Sequence, residues 1–275
     1  MKNRRSFLKQ ASLASTPFLL PSRIWAAKGD EAPNNRINIA VIGVGKWGRS
    51  HTHKLIRNPR VQVTGFAEIS DLRTKHTKEL IEKHYAKYTP SGSWKGLTIT
   101  KDYLELLEDK SLDAVLIATP DHWHGEPTIR AARAKKHIYC EKPISLSIRE
   151  GRAMADAVKE NQVVFQTGSQ QRSEYGGKFR RTVELVRSGA IGELKKVRVC
   201  VGGPPVPCDL PAETLPQGLD WDAWLGPAPI RKYNQILCPN EVHNHFPRWR
   251  LYREYCNGML ADMGAHHFDI GQCAM

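Results

Sequence analysis

The stretch that most constrains this chain is Arg36 to Gly48, RINIAVIGVGKWG, where an apolar, β-branched run passes straight into Gly43-x-Gly45-x-x-Gly48. Buried strand, glycine turn and helix start form the order that a dinucleotide pyrophosphate needs. Gly43 permits the tight turn, Gly45 lets the backbone approach the phosphates with no Cβ between, and Gly48 lets the following helix lie close on the strand. Lys46 and Trp47 complete the loop, and the free N–H groups of that helix start face the anion. Glu68 stands twenty residues beyond Gly48, just after a second strand, VQVTGF. A carboxylate there bonds the adenosine ribose hydroxyls and repels a 2′-phosphate, so the expected cofactor is NAD, with NADP disfavoured. Arg49 and Arg73 are the residues able to reverse that preference.

A segment of another kind precedes this unit. Residues 3–9 read NRRSFLK, a twin arginine followed by Phe7 and Leu8, and then come the mildly apolar ASLASTPFLLP and small residues at Ala26 and Ala27. The pattern is that of a bacterial twin-arginine export signal over residues 1–27, with a linker over 28–35 and an exported, periplasmic product. Its apolar run is too short, and too interrupted by Ser, Thr and Pro, to span a bilayer, which takes about twenty apolar residues. No membrane anchor is therefore expected once the signal is removed.

The formal charge of +13 invites a nucleic-acid reading. Five of the basic residues, Lys2, Arg4, Arg5, Lys9 and Arg23, belong to the leader, which has no acidic counterpart. The others are interleaved with acids, as in LEDK and KELIEK, and no aromatic-basic stripe appears, so a nucleic-acid partner is not expected. Cysteines 140, 200, 208, 238, 256 and 273 are widely spaced with no C-x-x-C. The histidines of DHWH, VHNH and AHH lack the i, i+4 spacing of a helical zinc pair, so no metal site is expected.

From Arg36 onward the chain alternates as a parallel, doubly wound α/β sheet does. Strands are predicted over 36–42, 61–66, 97–100, 113–118, 137–141 and 163–167, with helices over 47–57, 71–85, 102–109, 127–135 and 148–160 between them. This makes 36–168 a Rossmann domain. After it come a helix over 177–188, a strand over 195–202, a Pro-rich stretch over 204–229, an aromatic segment to 257 and a last helical piece from Gly258. The expected second unit, residues 169–275, is thus the start of an α+β substrate domain with an open sheet, truncated after about one strand.

Two clusters point to a family. Strand 137–141 runs into Glu141-Lys142-Pro143, and GMLADMGAHHFD places Asp262 and His266 four apart. With Thr119-Pro120-Asp121-His122-Trp123-His124 and LDWDAWLGPAP, these resemble the glucose-fructose oxidoreductase and inositol 2-dehydrogenase (Gfo/Idh/MocA) family over essentially everything from Arg36 to the end.

The resemblance implies an oxidoreductase acting on a hydroxyl of a sugar or polyol, a small-molecule carbohydrate. It implies catalytic roles for Lys142, Asp262 and His266, with cofactor contacts from Thr119, Pro120, His124, Glu141 and Lys142. His266 would take the hydroxyl proton while Asp262, on the same helix face, holds the ring or a substrate hydroxyl. His267 and Asp269 are rival assignments; His122 and Trp123 read as loop packing. An NAD-dependent glycosidase or lyase of the same superfamily and a non-catalytic sugar sensor are the alternatives. A complete C-terminal sheet would allow a homo-oligomer. Export further implies a cofactor loaded in the cytoplasm, tightly bound and recycled internally.

Overall fold

Every strand of the sheet is bounded by a helix that returns the chain for a parallel neighbour. The computed structural model describes residues 35–275, so the export signal expected over 1–27 lies outside the described residues. Strands β1 (Ile37–Ile42), β2 (Val61–Ala67), β3 (Thr98–Thr100), β4 (Ala114–Ile117), β5 (His137–Cys140) and β6 (Phe165–Thr167) pair in parallel in the order β3-β2-β1-β4-β5-β6. Helices α1 (Lys46–Leu55), α2 (Asp71–Ala86), α3 (Tyr103–Glu108), α4 (Gly125–Arg133) and α5 (Ile148–Asn161) make the crossovers. The doubly wound α/β fold is therefore as the alternation predicts, and the strand order reverses between β1 and β4, where such sheets open a crevice at their carboxyl ends.

Alternation within the strands divides the core between the two faces. Ala40, Ile42, Val115 and Ile117 pack on one side with Leu106, Ala131 and Ala157. Val41, Val63, Phe66 and Leu116 pack on the other with Ile81 and Tyr85. Both faces are covered, which is why these strands read as continuous apolar runs. Local caps set the helix starts: the Asp102 carboxylate accepts from Leu104 N–H, and the Ser147 hydroxyl from Glu150 N–H.

Beyond β6 the chain forms α6 (Lys178–Arg187), α7 (Trp221–Leu225), α8 (Gly258–Asp262) and α9 (Gly264–Ala274). Between them lies a third core made by loops. Trp221 and Trp224 stack at 4.7 Å, Tyr233, Leu237, Trp249 and Tyr255 close around them, and Trp224 O accepts from both His122 Nε2 (2.9 Å) and Trp123 Nε1 (3.0 Å). That pair of bonds seats the aromatic segment on the carboxyl end of the sheet.

The strand expected over 195–202 is not formed, and a second sheet is absent among the described residues. Its chain lies along helices: Cys200 O faces His267 Nδ1 at 3.1 Å, Gly203 O accepts from Met259 N–H, and Gly271 of α9 comes against Val197 and Val199. A helix has no free ladder to offer, so this backbone has nothing to pair with.

Candidate active site

At the crevice a cavity of about 340 Å³ opens over β1, β2 and β4, floored by Gly43, Gly45, Ala67 and Thr119. Gly43 sits at φ +82°, and a Cβ there would stand 3.1 Å from the Thr119 methyl and 3.2 Å from the Ala118 carbonyl. At Gly48 a Cβ would fall 1.9 Å from Gly43 O, so only glycine lets α1 lie this close to the turn. A Cβ at Gly45 would meet no protein atom within 4 Å, although Gly45 lines the cavity. No side chain caps α1 and its first turn carries no acid, leaving its leading N–H groups open to an anion. Open space at Gly45, bare amides and the Lys46 ammonium fit a dinucleotide pyrophosphate. Trp47, Thr119 and Pro120 line the same cavity.

Glu68 lies where the sequence places it, but it is not a free carboxylate. It is buried; Oε2 accepts from Val44 N–H (3.1 Å), while Oε1 accepts from Ser70 N–H (3.0 Å) and from Arg73 Nε (3.0 Å). Arg73 also donates to Pro239 O at 3.0 Å, and Arg49 donates to His243 O at 2.7 Å and Asn244 Oδ1 at 3.1 Å. Lys46 Nζ stands 3.6 Å over the Phe246 ring. Three cations of the dinucleotide half thus fasten the segment 238–246 as a roof over the cavity, an arrangement with no local sequence signal.

The other end of the site joins the two halves of the chain. Lys142, at the turn after β5, donates through Nζ to Asp262 O at 2.8 Å and pairs with the Asp262 carboxylate. Asp262 Oδ2 also faces Arg250 Nε at 3.6 Å, and the Arg250 guanidinium stands over the Trp249 ring at 4.1 Å. Asp262 and His266 do not share one helix: α8 ends at Asp262 and α9 starts beyond Met263. The His266 ring is buried, and its Nδ1 has no hydrogen-bond partner among the described residues. Burial, then the nearby Lys142 charge, hold its pKa below the ordinary histidine value.

Lys142, Asp262 and His266 stand beside the cavity without lining it, and two further residues assigned to cofactor contact, His124 and Glu141, have other surroundings. His124 is fully buried, with Nδ1 2.6 Å from Pro143 O and Nε2 3.0 Å from Thr119 O; it ties the Thr119-Pro120 loop to the Lys142-Pro143 turn. The Glu141 carboxylate accepts from His51 Nε2 at 2.7 Å and from Lys142 N–H at 3.2 Å, and neither residue lines the cavity. Of the rivals, His267 faces Cys200 O, and Asp269 pairs with Arg172. His122 packs edge-on against Trp224 and Tyr255, whereas Trp123 also lines the cavity.

Sequence reasoning missed Asp121. It is buried, Oδ2 is unpartnered among the described residues, and burial pushes its carboxyl up to about 7 against the pull of Cys256 and Arg250. Its place between a strand-end proline and two histidines carried no distinguishing signal.

A parallel sheet with this crevice and phosphate turn defines a dinucleotide-binding Rossmann protein. Two family models match it: the NAD-binding Rossmann fold of an oxidoreductase family over residues 37–169, and the C-terminal alpha/beta domain of the same family over residues 206–275. The chain belongs to that Gfo/Idh/MocA oxidoreductase family and carries its NAD(P)-binding domain.

It is 33% identical over 174 residues to myo-inositol 2-dehydrogenase of Thermotoga maritima, covering 63% of this chain and 48% of that protein. It is 42% identical over 89 residues to 2,7-anhydro-N-acetylneuraminate hydratase of Escherichia coli, covering 32% of this chain and 23% of the relative. Among solved structures, apo scyllo-inositol dehydrogenase from Lactobacillus casei superposes with a TM-score of 0.50 at 21% identity over 58% of this chain and 44% of that one, a likeness of fold. The chain spans about half the length of the curated relatives it matches.

Proposed function

We propose that this chain forms the cofactor-binding and reacting part of an NAD-dependent oxidoreductase acting on a CH–OH group of a sugar or polyol. The observation that carries the reading is the meeting of Lys142, Asp262 and a partnerless His266 Nδ1 at the carboxyl end of the sheet. Gly43, Gly45, Lys46, Trp47, Thr119 and Pro120 would hold the dinucleotide, which when bound supplies the hydride acceptor. His266, kept neutral by burial, accepts the hydroxyl proton at Nδ1. Lys142 Nζ holds the same oxygen, and Asp262 holds Lys142.

NAD is proposed over NADP because both arginines beside Glu68 are engaged, Arg73 with Glu68 and Pro239 O and Arg49 with His243 O and Asn244 Oδ1. Its inositol dehydrogenase relative supports a polyol or sugar substrate. The twin-arginine pattern of residues 4–9 supports export, and an exported enzyme is best served by a cofactor loaded before export and returned to its starting state in each cycle.

The test is turnover by the full-length protein with NAD and a panel of polyols headed by myo-inositol. Lys142→Ala and His266→Ala should each lower the rate on the order of a hundredfold or more while NADH still binds. Wild-type turnover in both variants overturns the assignment.

A second reading, transient oxidation followed by elimination or hydration at a neighbouring carbon, is favoured by the hydratase relative and suits a recycled cofactor. Product formation without net NADH separates it from the first.

A further inference from the structure

Glu141 sits between α1 and the reacting lysine, and its surroundings give it work other than touching cofactor. Its carboxylate is buried, and the Gly168 backbone closes over it so tightly that a Cβ there would lie 2.6 Å from Oε2. Oε1 accepts from His51 Nε2 and Oε2 from the backbone N–H of Lys142. Burial alone would raise this carboxyl, but hydrogen bonds from His51 and Trp47 hold it below the usual carboxylate range, so it stays charged and needs those donors. His51 is itself gripped: its ring meets Trp47 edge-on at 5.5 Å and Tyr139 at 5.5 Å, which fixes where Nε2 points. Trp47 and His51 lie one turn apart on the helix that begins at the phosphate turn.

We infer that His51 is a positioning residue for Lys142, acting through the Glu141 carboxylate to lock the Lys142 peptide so that its ammonium meets Asp262. The Lys142-Pro143 segment then has a contact at each end, Glu141 at Lys142 N–H and His124 Nδ1 at Pro143 O. Without His51 the carboxylate loses its outer donor and its fixed direction, so the Lys142 N–H that it holds, and with it the ammonium at Asp262, is no longer kept in place. The inference rests on the reading of Lys142 as the group that holds the reacting oxygen. It also gives α1 a second role, joining the phosphate end of the site to the reacting end.

The test reads Lys142 directly and needs no substrate. The full chain is methylated with formaldehyde and cyanoborohydride, and the rate at each lysine is followed by peptide mass analysis. In His51→Ala, Lys142 should react about tenfold faster, the equilibrium change carried by one hydrogen bond to a charged group. His51→Gln, which can still present an N–H to Glu141, should return the rate close to that of the parent chain. Lys136, whose Nζ is bound to Asp109 O and Leu112 O, is the internal control and should not change. Should His51→Ala fail to fold, Glu141→Gln takes its place, with the same rise expected at Lys142 alone. An unchanged Lys142, or a rise shared by Lys136, overturns the inference. Absence of oxidoreductase turnover leaves this readout intact, so the two readings fail separately.

Discussion

The Lys142 ammonium and the Asp262 carboxylate, 120 residues apart in the chain, form one ion pair that ties the end of β5 to the end of α8. Both side chains are more than four-fifths buried, so removing either leaves the other without its partner in a water-poor setting. Arg250 shares the carboxylate from the cavity side, so this contact decides where two cations stand.

Asp262→Asn keeps the shape and the carbonyl contact but removes the shared charge. Turnover should fall on the order of a hundredfold, as for a displaced acid–base group. Stability should fall by about 3 kcal/mol, the lower end for breaking a buried pair. Steady-state kinetics and thermal unfolding of the same preparation check both; a variant with parental turnover removes Asp262 from the site.

Gly48 and Gly45 should separate folding from binding. Gly48→Ala drives a methyl into Gly43 O and should cost about 3 kcal/mol of stability through overpacking. Gly45→Ala meets no protein atom, so its melting temperature should stay near that of the parent while NADH affinity drops at least tenfold. Calorimetry and NADH fluorescence titration give the two numbers; an unimpaired affinity in Gly45→Ala moves the pyrophosphate elsewhere.

Asp121 makes a pH prediction of definite sign. Its folded pKa, about 7, lies above the unfolded value of 3.8, so the native state holds the extra proton between those limits. Stability from this group therefore rises as pH falls from about 7 to about 4, by roughly 4 kcal/mol in all. His122 works the other way: burial takes it down to about 4, so its contribution is lost as pH falls from 6.5. Cys256, Arg250, Asp262 and Lys142 surround Asp121, and their influence is carried in its shift. Asp121→Asn should be more stable than the parent at pH 8, and the gap should close by pH 4. Denaturant unfolding across that range measures the difference, in which His122 cancels; a gap that widens on acidification refutes the assignment.

Phe246 is the part of the roof that touches the phosphate turn. Phe246→Ala removes the Lys46 contact but leaves the anchors of Arg49 and Arg73. Losing a cation–π contact worth about 1 kcal/mol should speed NADH release about fivefold. Stopped-flow displacement reads it, and an unaltered rate would mean that the roof does not govern exit.

The strand-turn-helix at 36–55 and the parallel alternation to residue 167 were legible because their signals are local. A buried strand shows as an apolar run, a turn needing φ above zero shows as glycine, and a crossover helix shows its period. Lys142, Asp262 and His266 were singled out through resemblance, since nothing in their immediate neighbours marks them.

Residue order alone determined that the chain makes a nucleotide-binding parallel sheet, because those requirements bear on adjacent residues. Tertiary structure decided that Glu68 is already paired with Arg73, that segment 238–246 roofs the cavity, and that His124 and Glu141 brace loops. It also left 195–202 without a ladder, against a sequence that reads as strand. Each of these depends on which distant element supplies the partner: a carboxylate's availability, a histidine's free nitrogen and a strand's existence are properties of a pair, and only one member of each pair is visible locally.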